Sequence, residues 1–181
     1  MKINLLDYAV IDEGQDATTA LKETVRLAQK AEDLGFYRFW MAEHHDVNAF
    51  ASSSPEMMMM HILGQTKRIK VGSGGVMLPH YSPLKVAENF RVMENLYEGR
   101  VDLGFGNTLG TPEVNKAMNE YRPRKQRYKE NISDIKKFLC NEDDEEHRFN
   151  NVRANPLGES NPEMWVLSTS VKSAELAARQ G

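Results

Sequence analysis

Strand-like apolar runs begin near residues 2, 36, 69 and 101, so they recur every 32 to 34 residues. That interval is the length of one β-strand plus one crossover helix. Strands alternating with helices at this period imply a parallel sheet with right-handed crossovers. The runs themselves are 2–10, 36–41, 69–78 and 101–105, and a fifth, 164–167, resumes after a break in the rhythm. Between the first two, Ala20, Leu21, Val25, Ala28, Ala31 and Leu34 fall at helical spacing, with Gly35 as the stop. Ser54-Pro55 and Ser82-Pro83 each set a capping hydroxyl before a proline, whose missing N–H costs nothing at the first helical position. They predict helices over 55–65 and 83–98, the second stopped by Gly99. Further helices are expected over 121–140 and 171–180, while the acidic and polar stretch 141–162 reads as a surface excursion. A closed (β/α)₈ barrel typically needs roughly 200 residues or more. The 181-residue chain therefore reads as one α/β domain, 1–181, holding about five βα units of an incomplete TIM-type barrel.

Charge and cysteine content then narrow the function. Lys and Arg number 23 against 26 Asp and Glu, a net charge of −3, so no basic excess exists to neutralise a nucleic-acid backbone. No apolar stretch reaches the ~20 residues of a membrane span. Met1 to Asp7 has a charge on each side of a very short apolar run and does not read as a signal peptide. The lone Cys140 excludes an internal disulfide and suits a reducing cytoplasm.

In parallel α/β folds the chemistry sits at the carboxyl ends of the strands. Four strand ends are unusual here. Glu43-His44-His45 follows the second strand, and it admits a metal pair, local hydrogen bonds, or a general base. Neighbouring histidines on a strand point to opposite faces, so coordination by both is strained, and no Cys or further His lies at ligand spacing. Ser73-Gly74-Gly75 ends the third strand, as a tight corner or as backbone laid bare for a flat ligand. Gly104-Phe105-Gly106-Asn107-Thr108 follows the fourth. Ser168-Thr169-Ser170 precedes the last helix, as a plain N-cap, which would use one hydroxyl, or as an anion site of hydroxyls and free backbone N–H groups. The run Met57–Met60 covers more than one helix face, which suits core packing with an exposed remainder for a helix–helix interface.

Trp40-Met41-Ala42-Glu43-His44-His45, Val71-Gly72-Ser73-Gly74-Gly75-Val76-Met77-Leu78-Pro79 and Gly99-Arg100-Val101-Asp102-Leu103-Gly104-Phe105-Gly106 together resemble the bacterial luciferase-like flavin monooxygenases. Trp165 to Ser170 and Ser173 to Ala178 extend the likeness over almost the whole chain, in the family's order. The resemblance implies a (β/α)₈ barrel that binds reduced FMN, supplied by a separate flavin reductase, and oxidises a small organic substrate with dioxygen. It implies His44 as the active-site base, Glu43, Ser73, Gly74 and Gly75 around the flavin ring, and Thr169, Ser170 and Ser173 at the phosphate. Some family members hold a non-proline cis peptide in the stretch matching 73–75. Asn107 stands where the family usually has a phosphate-gripping arginine, so weaker cofactor binding is expected. The family also forms dimers through the side carrying helices 55–65 and 83–98, and a homo-oligomer is expected. Two other readings share the scaffold: a non-catalytic, vestigial flavin-binding relative, and a deazaflavin-dependent reductase.

Overall fold

Phe39 and Met41 alternate with Arg38 and Trp40, as Val101, Leu103 and Phe105 alternate with Asp102 and Gly104. This period of two gives each strand an apolar face and a second face of another character. The computed structural model describes residues 1–120, 127–168 and 170–180. In chain order it contains β1 (Asn4–Asp7), α1 (Ala17–Asp33), β2 (Arg38–Met41), α2 (Pro55–Gln65), β3 (Lys70–Ser73) and β4 (Val76–Met77). A short 3₁₀ turn (Leu78–His80) leads to α3 (Pro83–Leu96), β5 (Val101–Gly106), α4 (Pro112–Asn119), α5 (Tyr128–Leu139), β6 (Glu163–Val166) and α6 (Val171–Gln180).

All strand pairs are parallel. The order is β1-β2-β3-β5, with β6 on the far side of β5. The expected third strand is broken in two. β3 pairs with the start of β5 (Gly72 opposite Asp102) and β4 with its end (Met77 opposite Gly106), and Gly74 and Gly75 turn the corner between them. Five βα units are thus present, as the periodicity implies.

One face of the sheet is sealed by helices. Phe39, Met41, Val71, Leu103 and Phe105 join Ala28 of α1, Met59, Ile62 and Leu63 of α2, Phe90 of α3 and Ile132 of α5 in one buried core. Within the methionine run only Met59 is fully buried, while Met57 is 74% exposed.

Several local expectations need correction. Asp16 caps α1 by accepting from Thr19 N–H at 2.8 Å, but the Ser54 and Ser82 hydroxyls make no capping bond. Their backbone carbonyls serve instead, accepting from Met57 and Val86 N–H. Gly35 and Gly99 do take positive φ (79° and 72°) beyond their helices, a conformation that favours glycine. α4 is an element the sequence reading passed over, although Thr111-Pro112 repeats the Ser-Pro device and Thr111 Oγ1 accepts from Val114 N–H. The helix expected over 121–140 is observed as α5, and residues 121–126 lie outside the described residues.

The 141–162 stretch is exposed at 141–146 but fastened beyond it. Arg91, wholly buried in α3, donates to the carbonyls of Ser160 (2.6 Å) and Leu139, and Ser160 Oγ donates to Glu94 Oε1 at 2.8 Å. Ala154 enters the core. A buried guanidinium needs several acceptors, and Ser160 O of this stretch and Leu139 O at the end of α5 supply two of them.

Candidate active site

Parallel strands bring Asp7, Met41, Ser73, Gly106 and Val166 to one end of the sheet, so the chain segments that follow them gather there. The loops after β1 and β2 are laced together. Val10 and Phe50 form an antiparallel bridge, Ile11 N–H donates to Ala49 O (2.8 Å), and Ala51 N–H to Ala9 O (2.9 Å).

His44 sits inside that lacing. Its ring lies 5.2 Å from the Tyr8 ring and 5.2 Å from Phe50, centroid to centroid, and its backbone N–H donates to Ser52 O. Its Nδ1 is buried and has no hydrogen-bond partner among the described residues. A buried polar atom without a partner costs about 1–3 kcal/mol, so it marks a place where a ligand has something to offer.

Glu43 points elsewhere. Its side chain is completely buried, and Oε1 accepts from Tyr81 OH (2.5 Å) and His45 Nε2 (2.7 Å) while Oε2 accepts from Met77 N–H (2.8 Å). The adjacent histidines do diverge, but because both lie beyond the end of β2, one turned to Glu43 and the other to Tyr8 and Phe50. Among the described residues, no three His, Cys, Asp or Glu side chains are placed to hold a metal ion. Glu56, in the first turn of α2, has its carboxyl pushed up by burial, reinforced by the charge of Glu43.

Ser73, Gly74 and Gly75 form a tightly held corner. The Ser73 hydroxyl donates to Gly104 O and accepts from Gly104 N–H, both at 2.9 Å, and Gly74 N–H donates to Met41 O. The Gly74–Gly75 peptide is cis. A Cβ on Gly74 would meet Leu6 Cδ1 at 2.9 Å, and one on Gly75 would meet Gly104 O and Leu167 Cδ1 at 2.9 Å. The glycines here are needed for strand contact whatever else they face. Two further glycines of the quoted motifs, Gly72 and Gly104, are required by packing. A Cβ on Gly104 would come 2.1 Å from Ser73 O, and one on Gly72 would enter the Trp40 ring. Leu6, Trp40, Trp165 and Leu167 line this second face of the sheet, the two tryptophans edge to face at 5.8 Å.

Asn107 is exposed just past β5. Ser170 is exposed at the start of α6, and its N–H is already taken by Ser168 Oγ at 3.1 Å. Thr169 lies outside the described residues, as does the side chain of Ser173.

At the opposite end of the strands lies a charge cluster that the sequence reading missed. Arg38 Nε donates to Asp102 Oδ2 at 2.7 Å and its terminal nitrogen to Glu163, while Lys70 Nζ stands 3.6 Å from Asp102 and 3.4 Å from Glu163. The Arg38 guanidinium is stacked between Tyr37 and Trp165. Burial pushes the Asp102 carboxyl up; for Glu163 burial is outweighed by the Asp102 hydrogen bond and by Lys70 and Arg38, so its carboxyl is held low. The signal was available: four charges of balanced sign, each within two residues of a strand start.

Comparison with known proteins adds independent findings. The profile of a family described as luciferase-like monooxygenase matches residues 1–181. An uncharacterised Bacillus subtilis protein, YwcH, is 48% identical over 183 residues, covering 100% of this chain and 55% of that one. The N-acetyl-S-alkylcysteine monooxygenase of the same organism is 36% identical, again covering 100% and 55%. The crystal structure of apo-MsnO8 superposes with a TM-score of 0.87 at 36% identity, over 99% of this chain and 52% of that one. At lower identity the likeness is one of fold alone. It includes the oxygenating constituent of Pseudomonas putida 3,6-diketocamphane monooxygenase in complex with FMN (22%, TM-score 0.81) and an F420-dependent secondary alcohol dehydrogenase (19%, 0.65). The chain spans about half the length of the curated relatives it matches. No helix among the described residues is long and apolar enough to cross a membrane.

Proposed function

Because the chain belongs to the luciferase-like monooxygenase family, we propose that it is a flavin-dependent monooxygenase using reduced FMN and dioxygen on a small organic substrate. The observation that carries the reading is His44: a half-buried imidazole at a strand end, with one buried nitrogen left without a partner. Bound FMN would supply the electrons that activate dioxygen, chemistry no protein side chain provides.

The residues present fit such a group. The corner 73–75 lies one strand over from the end of β2, with Met41 opposite Ser73, so a flat ring against it comes close to the His44 loop. Leu6, Trp40, Trp165 and Leu167 offer an apolar wall, open to solvent in this structure, that suits a flat ring and a substrate of apolar character. His44 Nδ1 is the atom positioned to accept or return a proton. The resemblance puts the phosphate end at Asn107 and the 168–173 segment, of which Thr169 and the Ser173 side chain lie outside the described residues; at 107 a neutral amide stands where the family usually has a charged fork. The relative named for S-alkylcysteine substrates supports small-molecule oxygenation.

Titration of the protein with FMN and with F420, followed by flavin fluorescence, tests the cofactor. Substrate-dependent oxygen uptake with reduced FMN then tests the reaction. Saturable FMN binding and turnover of at least one small organic substrate are expected. Tight F420 binding with no FMN binding would replace this reading with a deazaflavin reductase, and FMN binding without turnover would make the protein a vestigial binder.

A further inference from the structure

Three hydrogen-bond donors from three separate parts of the chain converge on the buried Glu43 carboxyl group. Tyr81 OH arrives from beyond the 3₁₀ turn, His45 Nε2 from the loop after β2, and Met77 N–H from β4. Oε1 takes two of these donors and Oε2 the third, and the side chain has no exposed surface through which a ligand could reach it.

We infer, on the premise of the flavin reading above, that Glu43, Tyr81 and His45 act as a positioning clip for the flavin corner and do not touch the cofactor. The geometry is direct. The corner 73–75 is held upstream by the Gly74 N–H to Met41 O bond, and by Ser73 against Gly104. Downstream, β4 is tied to β2's end through Glu43 and Met77 N–H. The same carboxyl group holds His45, the residue next to His44, so it fixes the backbone from which the His44 ring projects. One buried group thus sets the relative placement of the backbone under the flavin ring and of the imidazole beside it. A carboxamide keeps the shape of Glu43 but replaces one acceptor oxygen with a donor, so it faces at least one of the three donors with a donor. Tyr81→Phe removes a single donor and leaves the ring packing in place.

The test compares wild type, Glu43→Gln, Tyr81→Phe and the double variant by three readouts: FMN affinity, the visible spectrum of bound flavin, and amide hydrogen exchange of the flavin-free protein. Glu43→Gln is expected to weaken FMN binding about tenfold and Tyr81→Phe about threefold, as loss of one or two buried hydrogen bonds allows. Because Tyr81 acts through Glu43, the double variant binds no more weakly than Glu43→Gln alone. Both single variants speed exchange across 74–77 while leaving the α5 amides unchanged, and both shift the bound-flavin spectrum. A folded Glu43→Gln protein with wild-type affinity and spectrum would overturn the clip. So would additive losses in the double variant, or weakened FMN binding without faster exchange at 74–77, which would make Glu43 a direct contact. If Glu43→Gln does not fold, Tyr81→Phe decides by the same readouts. Should the wild type bind no flavin at all, the functional reading falls, while the exchange data still decide whether the clip exists.

Discussion

The two ends of one sheet handle buried polarity in opposite ways. At the strand starts, Arg38, Lys70, Asp102 and Glu163 answer one another with balanced charge, and aromatic rings cover the guanidinium. At the strand ends, one carboxyl group takes three donors, yet the neighbouring His44 keeps a buried nitrogen with no partner among the described residues. The strand-start cluster finds its charge partners within the chain, although the buried Asp102 Oδ1 makes no hydrogen bond among the described residues and has Lys70 Nζ at 3.6 Å, so it can serve stability. The strand-end site leaves His44 Nδ1 open to an added partner, at the end of the sheet where chemistry gathers in parallel α/β folds.

Removing Arg38 tests the first half of that contrast and carries the largest expected effect. Arg38→Ala leaves the fully buried Asp102 beside only Lys70, and loss of one partner from a buried pair costs about 3–5 kcal/mol. Urea unfolding should show the loss, and an unchanged midpoint would mean the cluster is ornamental. His44→Ala probes the other end. Turnover should fall about 10²-fold with the urea midpoint nearly unmoved, as expected for a proton-transfer residue. A variant that turns over normally would remove His44 from the chemistry.

Asn107→Arg sharpens the contrast by completing the incomplete end. A charge-assisted contact to phosphate should tighten FMN by about 1–2 kcal/mol in a flavin titration. No gain would put the phosphate away from β5. The smallest effect belongs to Glu56, whose carboxyl is raised by burial beside Glu43. Because its folded value exceeds its unfolded one, the stability it contributes is fully present below the ordinary glutamate range and is lost as pH rises through the folded value. Glu56→Gln should therefore stabilise the protein at neutral pH by less than about 1 kcal/mol and make no difference at the acid end. Thermal melts at both pH values would show it, and equal increments at both would rule out a titrating cause.

Strand rhythm, helix stops at Gly35 and Gly99, and the grouping of strand ends were all readable along the chain, because each depends on residues near one another in sequence. The partners of Glu43 were not. Tyr81 lies 38 residues away and Met77 34, and nothing local distinguishes a carboxyl group that contacts a ligand from one that clips two strands together. The 141–162 stretch reads as solvated for the same reason. Its composition is polar, and the buried Arg91 that fastens it belongs to another helix.

By itself, then, the sequence determined the periodic alternation of strand and helix, the parallel sheet it forces, and the end of that sheet where chemistry gathers. These follow from side-chain periodicity and local backbone preference. Tertiary structure alone decided which polar groups are satisfied: Arg38 and Lys70 by Asp102 and Glu163, Glu43 by Tyr81, His45 and Met77, and His44 Nδ1 by none of the described residues. Hydrogen bonding and burial depend on which residues meet across the fold, and that is settled only when distant segments pack together.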